Sequence, residues 1–223
     1  MDTFPIRSEV PQKSVLGPVL YLVYTSDLPT IENTLTGTFT DDAVIMASHE
    51  DPMSASTRLQ HHINLLEAWV TKWKIKINET KSIQVTFTLR KNQRPPIFFN
   101  NILIPESPSV RYLGMHMDKK LNWKEHIEKN RKQIDLKFKE LYWLLGRKSP
   151  LSLENKVPVY KVAIKPIWTY GIDLWGCASN SSIATLQRCQ SKILRSMADA
   201  PRHISNSTLH NDLGIPFIKD VLR

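Results

Sequence analysis

The stretch Phe39-Thr40-Asp41-Asp42 constrains this chain more than any other. It lies between two short runs of strand-forming residues, Leu35 to Phe39 and Ala43 to Ala47. Such a pattern predicts a tight antiparallel hairpin with two carboxylates at its tip. Adjacent carboxylates repel unless a positive charge sits between them, and a hard divalent cation with oxygen ligands, such as Mg²⁺, would relieve that repulsion. Asp is also a common turn former, so the pair alone leaves a purely structural reading open. Its neighbours in the sequence decide what it means.

Upstream, residues 8–18 read SEVPQKSVLGP. Prolines and a glycine bracket the polar cluster Gln12, Lys13 and Ser14, which predicts a loop leading into a buried helix or strand over Val19 to Tyr24. Downstream, Leu59, Ile63, Leu66, Val70 and Trp73 step by four, three, four and three. That is one apolar stripe of a helix over 54–73, with Ser54 or Ser56 as its cap. His61 and His62 fall mostly off the stripe and are expected to be solvated or half-buried.

The period then changes to two. Ile75 and Ile77, then Ile83, Val85, Phe87 and Leu89, alternate with polar residues across Glu79-Thr80-Lys81, which predicts a strand pair. A further hairpin is expected around Asn100-Asn101, and another strand over Val110 to Met117. From about Asn122 the pattern is helical. Ile127, Ile134, Phe138, Leu141 and Leu145 mark one long amphipathic helix. Residues 152–168 predict another, kinked or restarted at Pro158. Ile183, Leu186, Ile193 and Met197 mark a third, and Leu209 to Leu222 a short helical end. The fold class is therefore α+β: a mixed part over 1–118 and an all-α part over 119–223.

The 223 residues carry 30 Lys and Arg against 21 Asp and Glu, a net charge of +9. Between Arg111 and Lys148 there are eleven Lys and Arg against five Asp and Glu, so two-thirds of that surplus lies in 38 residues. This fits a polyanionic partner, and it also fits a solvated face laced with pairs such as Glu128–Lys132 and Asp135–Lys139. Two cysteines, Cys177 and Cys189, make no CxxC and imply neither a disulfide framework nor, with His203 and His210, a zinc site. No apolar leader is visible, and the run Val15 to Tyr24 is too short to span a bilayer, so a soluble intracellular protein with no membrane partner is expected.

Val10-Pro11-Gln12-Lys13-Ser14-Val15-Leu16-Gly17-Pro18 resembles the VPQGSVLGP motif of reverse transcriptases from jockey-like non-LTR retrotransposons. The later motifs come in the family's order as well. Asp27-Leu28-Pro29 stands where the family has DLP, and Phe39-Thr40-Asp41-Asp42 matches its FADD box. Trp69 to Lys81 is similar to its W…KINxxKT stretch, and Tyr112-Leu113-Gly114 to its YLG. Tyr170-Gly171 and Leu174-Trp175-Gly176 fall in what looks like the thumb and the segment beyond it. Each motif alone is weak; five in this order are specific.

The resemblance implies a partial polymerase palm followed by a helical thumb, and RNA-directed DNA synthesis through a two-metal Mg²⁺ site. It makes Asp41 and Asp42 metal ligands. It sets Lys81, in preference to Lys76, at the leaving pyrophosphate, and Gln12 and Lys13 against template and nucleotide. Tyr112, Leu113 and Gly114 would hold the primer end. Lys124, Arg131 and Lys132 would follow the backbone of an RNA–DNA hybrid, contacts that make binding salt-dependent and blind to sequence. Deoxynucleotides, an RNA template and a DNA primer are the implied partners, and target-primed synthesis implies action in the nucleus.

Three departures from the family pattern stand out. The family carries another metal-binding Asp upstream of the VPQ loop; only nine residues precede Val10, and Asp2 is too close to replace it. Residues 1–223 alone are therefore expected not to polymerise. Lys13 and Glu9 stand where the family has Gly, which permits close backbone approach to a ligand. Thr40 replaces a small Ala, and Pro158 interrupts a helix. The Lys13 and Pro158 changes read as relaxed constraint. A catalytically silent nucleic-acid-binding remnant is the alternative, beside a remnant without function and a structural cation site at Asp41–Asp42.

Overall fold

The computed structural model describes residues 14–40, 42–89 and 95–222. The chain divides into two compact units. One comprises Met1–Gln84 with Arg90–Glu106, the other Val85–Leu89 with Ser107–Arg223. Helices and small antiparallel sheets make up both, an α+β composition. The described strands form three separate two-stranded sheets. Among the described residues no helix is long and apolar enough to cross a membrane.

The first unit begins with α1 (Leu16–Tyr24), which resolves the open choice between helix and strand there. Strands β1 (Thr34–Phe39) and β2 (Asp42–Ala47) pair in antiparallel register from Thr34↔Ala47 to Phe39↔Asp42. Helix α2 (Pro52–Lys72) lies against them. Its cap is Asp51, one turn before the serines expected in that role. The Asp51 carboxylate accepts from the Met53 and Ser54 amides, and Pro52 fills the first position, where no amide is needed. Ser54 instead donates its hydroxyl to Asp51. Ile63, Trp69 and Val70 of the α2 stripe are buried with Ile97 and Phe99, and Leu59, Leu66 and Trp73 pack around them.

His62 departs from expectation: it is fully buried. Its Nδ1 lies 2.7 Å from the Thr34 hydroxyl and its Nε2 3.0 Å from the Pro29 carbonyl. A carbonyl only accepts, so Nε2 carries the proton, while Nδ1 meets the Thr34 hydroxyl, which itself donates to the Ile31 carbonyl. Both polar edges are thus satisfied by β1 and the segment before it, which is what allows an imidazole into this core.

The strand pair expected over 74–89 does not form. Lys74 adopts a left-handed conformation (φ 55°) after α2, and Glu79–Lys81 makes a single 3₁₀ turn. Only Gln84 makes a β-bridge, to Glu106. Ile75 and Ile77 do pack on the core, but Ile83 and Phe87 stay exposed. Alternation buries one face of an extended segment; it does not supply a ladder partner. The expected hairpin at Asn100-Asn101 is present as β3 (Phe98–Phe99) and β4 (Ile102–Leu103). Both asparagines have positive φ, as a two-residue turn of this hand requires. The Gln60 side-chain amide joins this hairpin to α2, donating to the Phe98 carbonyl and accepting from its amide.

The second unit opens with β5 (Ser109–Tyr112) and β6 (Met115–Asp118), a hairpin where a single strand is expected, folded at Leu113-Gly114. It packs on α3 (Lys124–Glu140). The long amphipathic helix of the sequence is divided at Leu141, after which α4 (Tyr142–Leu145) continues the same apolar side. Helix α5 (Leu153–Ala163) runs straight through Pro158 and breaks at Ile164, before α6 (Lys165–Thr169). Pro158 and Glu154 are both exposed, so the lost amide–carbonyl bond falls on the solvent-facing side of the helix, where it costs least. Helices α7 (Ile172–Trp175), α8 (Asn180–Met197), α9 (Asn206–Asp212) and α10 (Ile218–Val221) complete the unit. Ile183, Leu186, Ile193 and Met197 are all buried, as the α8 stripe predicts. Trp168, Trp175, Tyr160 and Leu145 fill the centre. Lys156 is buried too, its ammonium donating to the Gly146 and Met197 carbonyls at the ends of α4 and α8. A cation at two helix C-termini is favourable.

Candidate functional site

The acidic turn is where the hairpin pattern puts it. Because Phe39 pairs with Asp42, only Thr40 and Asp41 bridge the strands. Asp41 lies outside the described residues. Thr40 takes a left-handed conformation (φ 51°), and its hydroxyl donates back to the Phe39 carbonyl. A β-branched residue is costly there, so this turn is strained. Asp42 opens β2 with its side chain exposed. The far end of the hairpin is fastened to α2 through His62, which meets the hydroxyls of both Thr34 and Thr36. The base of the hairpin is thus held to the core while its carboxylate tip stands at the surface.

Asp27 holds the approach to that hairpin in a way sequence reasoning missed. One of its oxygens accepts from the Trp69 indole at 2.8 Å, the other from the Trp73 indole at 3.1 Å and the Lys72 ammonium at 3.3 Å. The Trp69 bond, ahead of Trp73 and Lys72, keeps this carboxyl below its ordinary range. The Tyr24 hydroxyl donates to the Trp73 carbonyl. The available signal was two tryptophans four apart on one helix, each needing an acceptor for its N–H. Lys81 is exposed at the end of the 3₁₀ turn, in the same unit as Asp42 but on a separate element. Gln12 and Lys13 lie outside the described residues.

An oxygen donor such as the Asp42 carboxylate suits Mg²⁺. One carboxylate does not hold the ion, however, and among the described residues no three His, Cys, Asp or Glu side chains converge as a cage. The described residues alone do not make the metal site.

In the second unit Tyr112 closes β5, and Leu113 and Gly114 form its turn, with φ values of 46° and 79°. The Tyr170 hydroxyl donates to the Leu113 carbonyl at 2.7 Å. Behind the hairpin, the His116 amide faces Nδ1 of the buried His126, whose Nε2 meets the Asn130 side chain at 3.0 Å. Trp123 and Trp175 flank the His126 ring. Burial, more than the nearby His116, pushes the His126 pKa down. Burial also lowers His116, with Lys129 adding to it and Glu125 opposing it.

The reverse transcriptase (RNA-dependent DNA polymerase) family profile matches residues 2–117. The chain belongs to the reverse transcriptase family. Over 220 residues it is 34% identical to a probable RNA-directed DNA polymerase from transposon X-element of Drosophila melanogaster, covering 96% of this chain and 24% of that protein. It is 34% identical to the probable RNA-directed DNA polymerase from transposon BS of the same organism, covering 96% of this chain and 25% of that protein. The RNA-directed DNA polymerase from mobile element jockey of D. melanogaster is 32% identical, covering 98% of this chain and 25% of that protein. The chain thus spans about a quarter of the length of these curated relatives. No solved structure matches it significantly.

Beyond the segment matched by the reverse transcriptase profile, Lys124, Arg131 and Lys132 are all exposed on α3. Lys124 and Arg131, seven apart, share one side of the helix, and Lys132 is turned from them by about one residue. Among the described residues the ion pairs within α3 are Arg131–Asp135 and Lys137–Glu140, not the Glu128–Lys132 and Asp135–Lys139 pairs the spacing allows. Among the described residues Lys124 and Lys132 join no ion pair, which leaves both ammonium groups to solvent.

Proposed function

We propose that this chain is the part of a non-LTR retrotransposon RNA-directed DNA polymerase that carries the acidic turn, the primer-holding turn and the template–primer-tracking helix. The observation that carries the reading is the placement of Asp42 at the exposed head of a hairpin clamped to α2, within the residues matched by the family profile. In this reading residues 1–118 serve as palm and 119–223 as thumb, with the β5–β6 hairpin a palm element packed among the helices. Asp41 and Asp42 are two carboxylates of a Mg²⁺ site that further residues complete. Tyr112 to Gly114 hold the primer end, and Lys81 faces the leaving pyrophosphate. Gln12 and Lys13 meet template and incoming deoxynucleotide. Lys124, Arg131 and Lys132 contact phosphates of the RNA–DNA hybrid without reading its sequence.

The test is RNA-templated primer extension by the longest reading frame that contains this chain, beside its Asp42→Ala variant. The expected result is extension by the parent, none by the variant, and equal binding of template–primer by both. The 223 residues alone are expected to bind and not extend. Extension that survives Asp42→Ala removes the reading. A second reading, a nucleic-acid-binding protein without catalysis, is favoured by the cationic exposed face of α3. It predicts binding by every variant with an intact α3 and extension by none, at any length of chain.

A further inference from the structure

The Tyr112–Gly114 turn is held from outside its own hairpin, by two consecutive residues 57 positions away. We propose that Tyr170 and Gly171 are positioning residues for this turn, and that they keep Leu113 in a strained conformation so that its side chain meets the terminal base pair of the primer. This rests on reading the turn as primer-holding.

The turn has two central residues, both with positive φ, the hand that matches strand twist. Gly114 takes such a conformation freely; Leu113 does not. Asn or Gly at the first position would relax the turn, so leucine there costs stability. Leu113 is also 37% exposed, so burial offsets only part of that cost and the residue remains open to a ligand. What holds the conformation is the Tyr170 phenol, which donates to the Leu113 carbonyl at 2.7 Å and fixes the orientation of that peptide. The ring edge of Tyr170 also lies 3.5 Å from where a Cβ on Gly114 would stand.

The tyrosine is itself fixed. Its carbonyl accepts from the indole of the buried Trp175 at 3.0 Å, and its amide donates to the Pro166 carbonyl at 3.1 Å. The next residue, Gly171, has φ 64°, and a Cβ on it would overlap the Met115 thioether. Met115 is the first residue after the turn and is buried. The α6–α7 link therefore grips the turn at both ends: the Leu113 carbonyl on one side, the Met115 side chain on the other. Strain of this kind persists only where surrounding structure imposes it, and here the imposing residues are identified.

The test compares binding of the 223-residue chain to two RNA–DNA hybrids of equal length, one blunt and one with a recessed DNA 3′ end. The parent is expected to prefer the recessed end. Tyr170→Phe keeps the ring and loses one hydrogen bond, so the preference should fall about fivefold. Leu113→Asn should remove the preference while the melting temperature holds or rises, because Asn suits the left-handed position. A purely structural leucine gives the opposite pair: unchanged preference and a lower melting temperature. If both variants keep the parent's preference, the inference is overturned and the primer-holding reading stands. If the parent itself does not distinguish the ends, that reading fails and takes the inference with it.

Discussion

The two units handle their apolar side chains differently. In the second, Trp168, Trp175, Tyr160, Ile127, Leu145 and most of the α8 stripe are buried together, and Ser179 and Ser205 cap α8 and α9. In the first, five apolar residues among those described are buried in the core, and α1 buries none of its nine. Leu16, Leu22 and Val23 of α1 and Leu35, Phe39 and Met46 of the β1–β2 hairpin are exposed. An apolar helix with no buried residue, like a two-stranded hairpin with exposed apolar side chains, gains little stability from burial. The acidic turn thus sits on the weakly buried unit, and the turn gripped by Tyr170 on the well-buried one. Changes in the buried centre of the second unit should therefore cost folding, whereas changes at exposed positions, the tip of the first unit's hairpin among them, should leave stability nearly unchanged.

The largest effect is expected from Trp175→Ala, which empties the centre of the second unit and frees the Tyr170 carbonyl. It should destabilise that unit by about 3–5 kcal/mol, read as a lower denaturant midpoint. A smaller loss would mean the unit is less well packed than its burial indicates. His62→Ala comes next. It leaves the Thr34 hydroxyl and Pro29 carbonyl without their buried partner and should cost about 2–3 kcal/mol in the first unit. Hydrogen exchange should show opening of the β1–β2 hairpin with the second unit's amides unchanged.

The smallest effect is one of pH. His126 and His116 are both held below the ordinary histidine pKa by burial. The unfolded chain therefore takes up their protons first, and stability is lost as pH falls through about 6.5. The carboxyls of Asp27, Asp51 and Glu79 are also lowered, so their contribution is lost only on further acidification, below about pH 4.5. Between pH 7.5 and 5.5 the melting temperature should fall, and His126→Gln should flatten that slope. A parent profile already flat in this window contradicts the assignment.

Much of this was legible in the residues. The α2, α3 and α8 stripes marked helices because their apolar faces are wide and regular, and the Asn100-Asn101 turn was written in residues that tolerate positive φ. The β1–β2 hairpin was readable from its flanking runs even though Thr40 is a poor turn residue. What was hidden depended on partners distant in the chain. The alternation over 74–89 did not reveal that the second run lacks a partner strand. The polar surroundings that bury His62 come from Pro29 and Thr34, and nothing near Tyr170 announces a bond to Leu113. Asp27 was visible as a motif but not as the acceptor of two indoles.

We propose a division of labour in which α3 supplies attraction to nucleic acid and the acidic turn supplies chemistry without contributing to affinity. The direct measurement is the salt dependence of binding to an RNA–DNA hybrid by the parent, by Asp42→Ala, and by the triple variant Lys124→Gln, Arg131→Gln, Lys132→Gln. The account predicts that the slope of log affinity against log salt falls by about 2–3 in the triple variant, one phosphate contact per residue removed, and is unchanged in Asp42→Ala. An unchanged slope in the triple variant would contradict it.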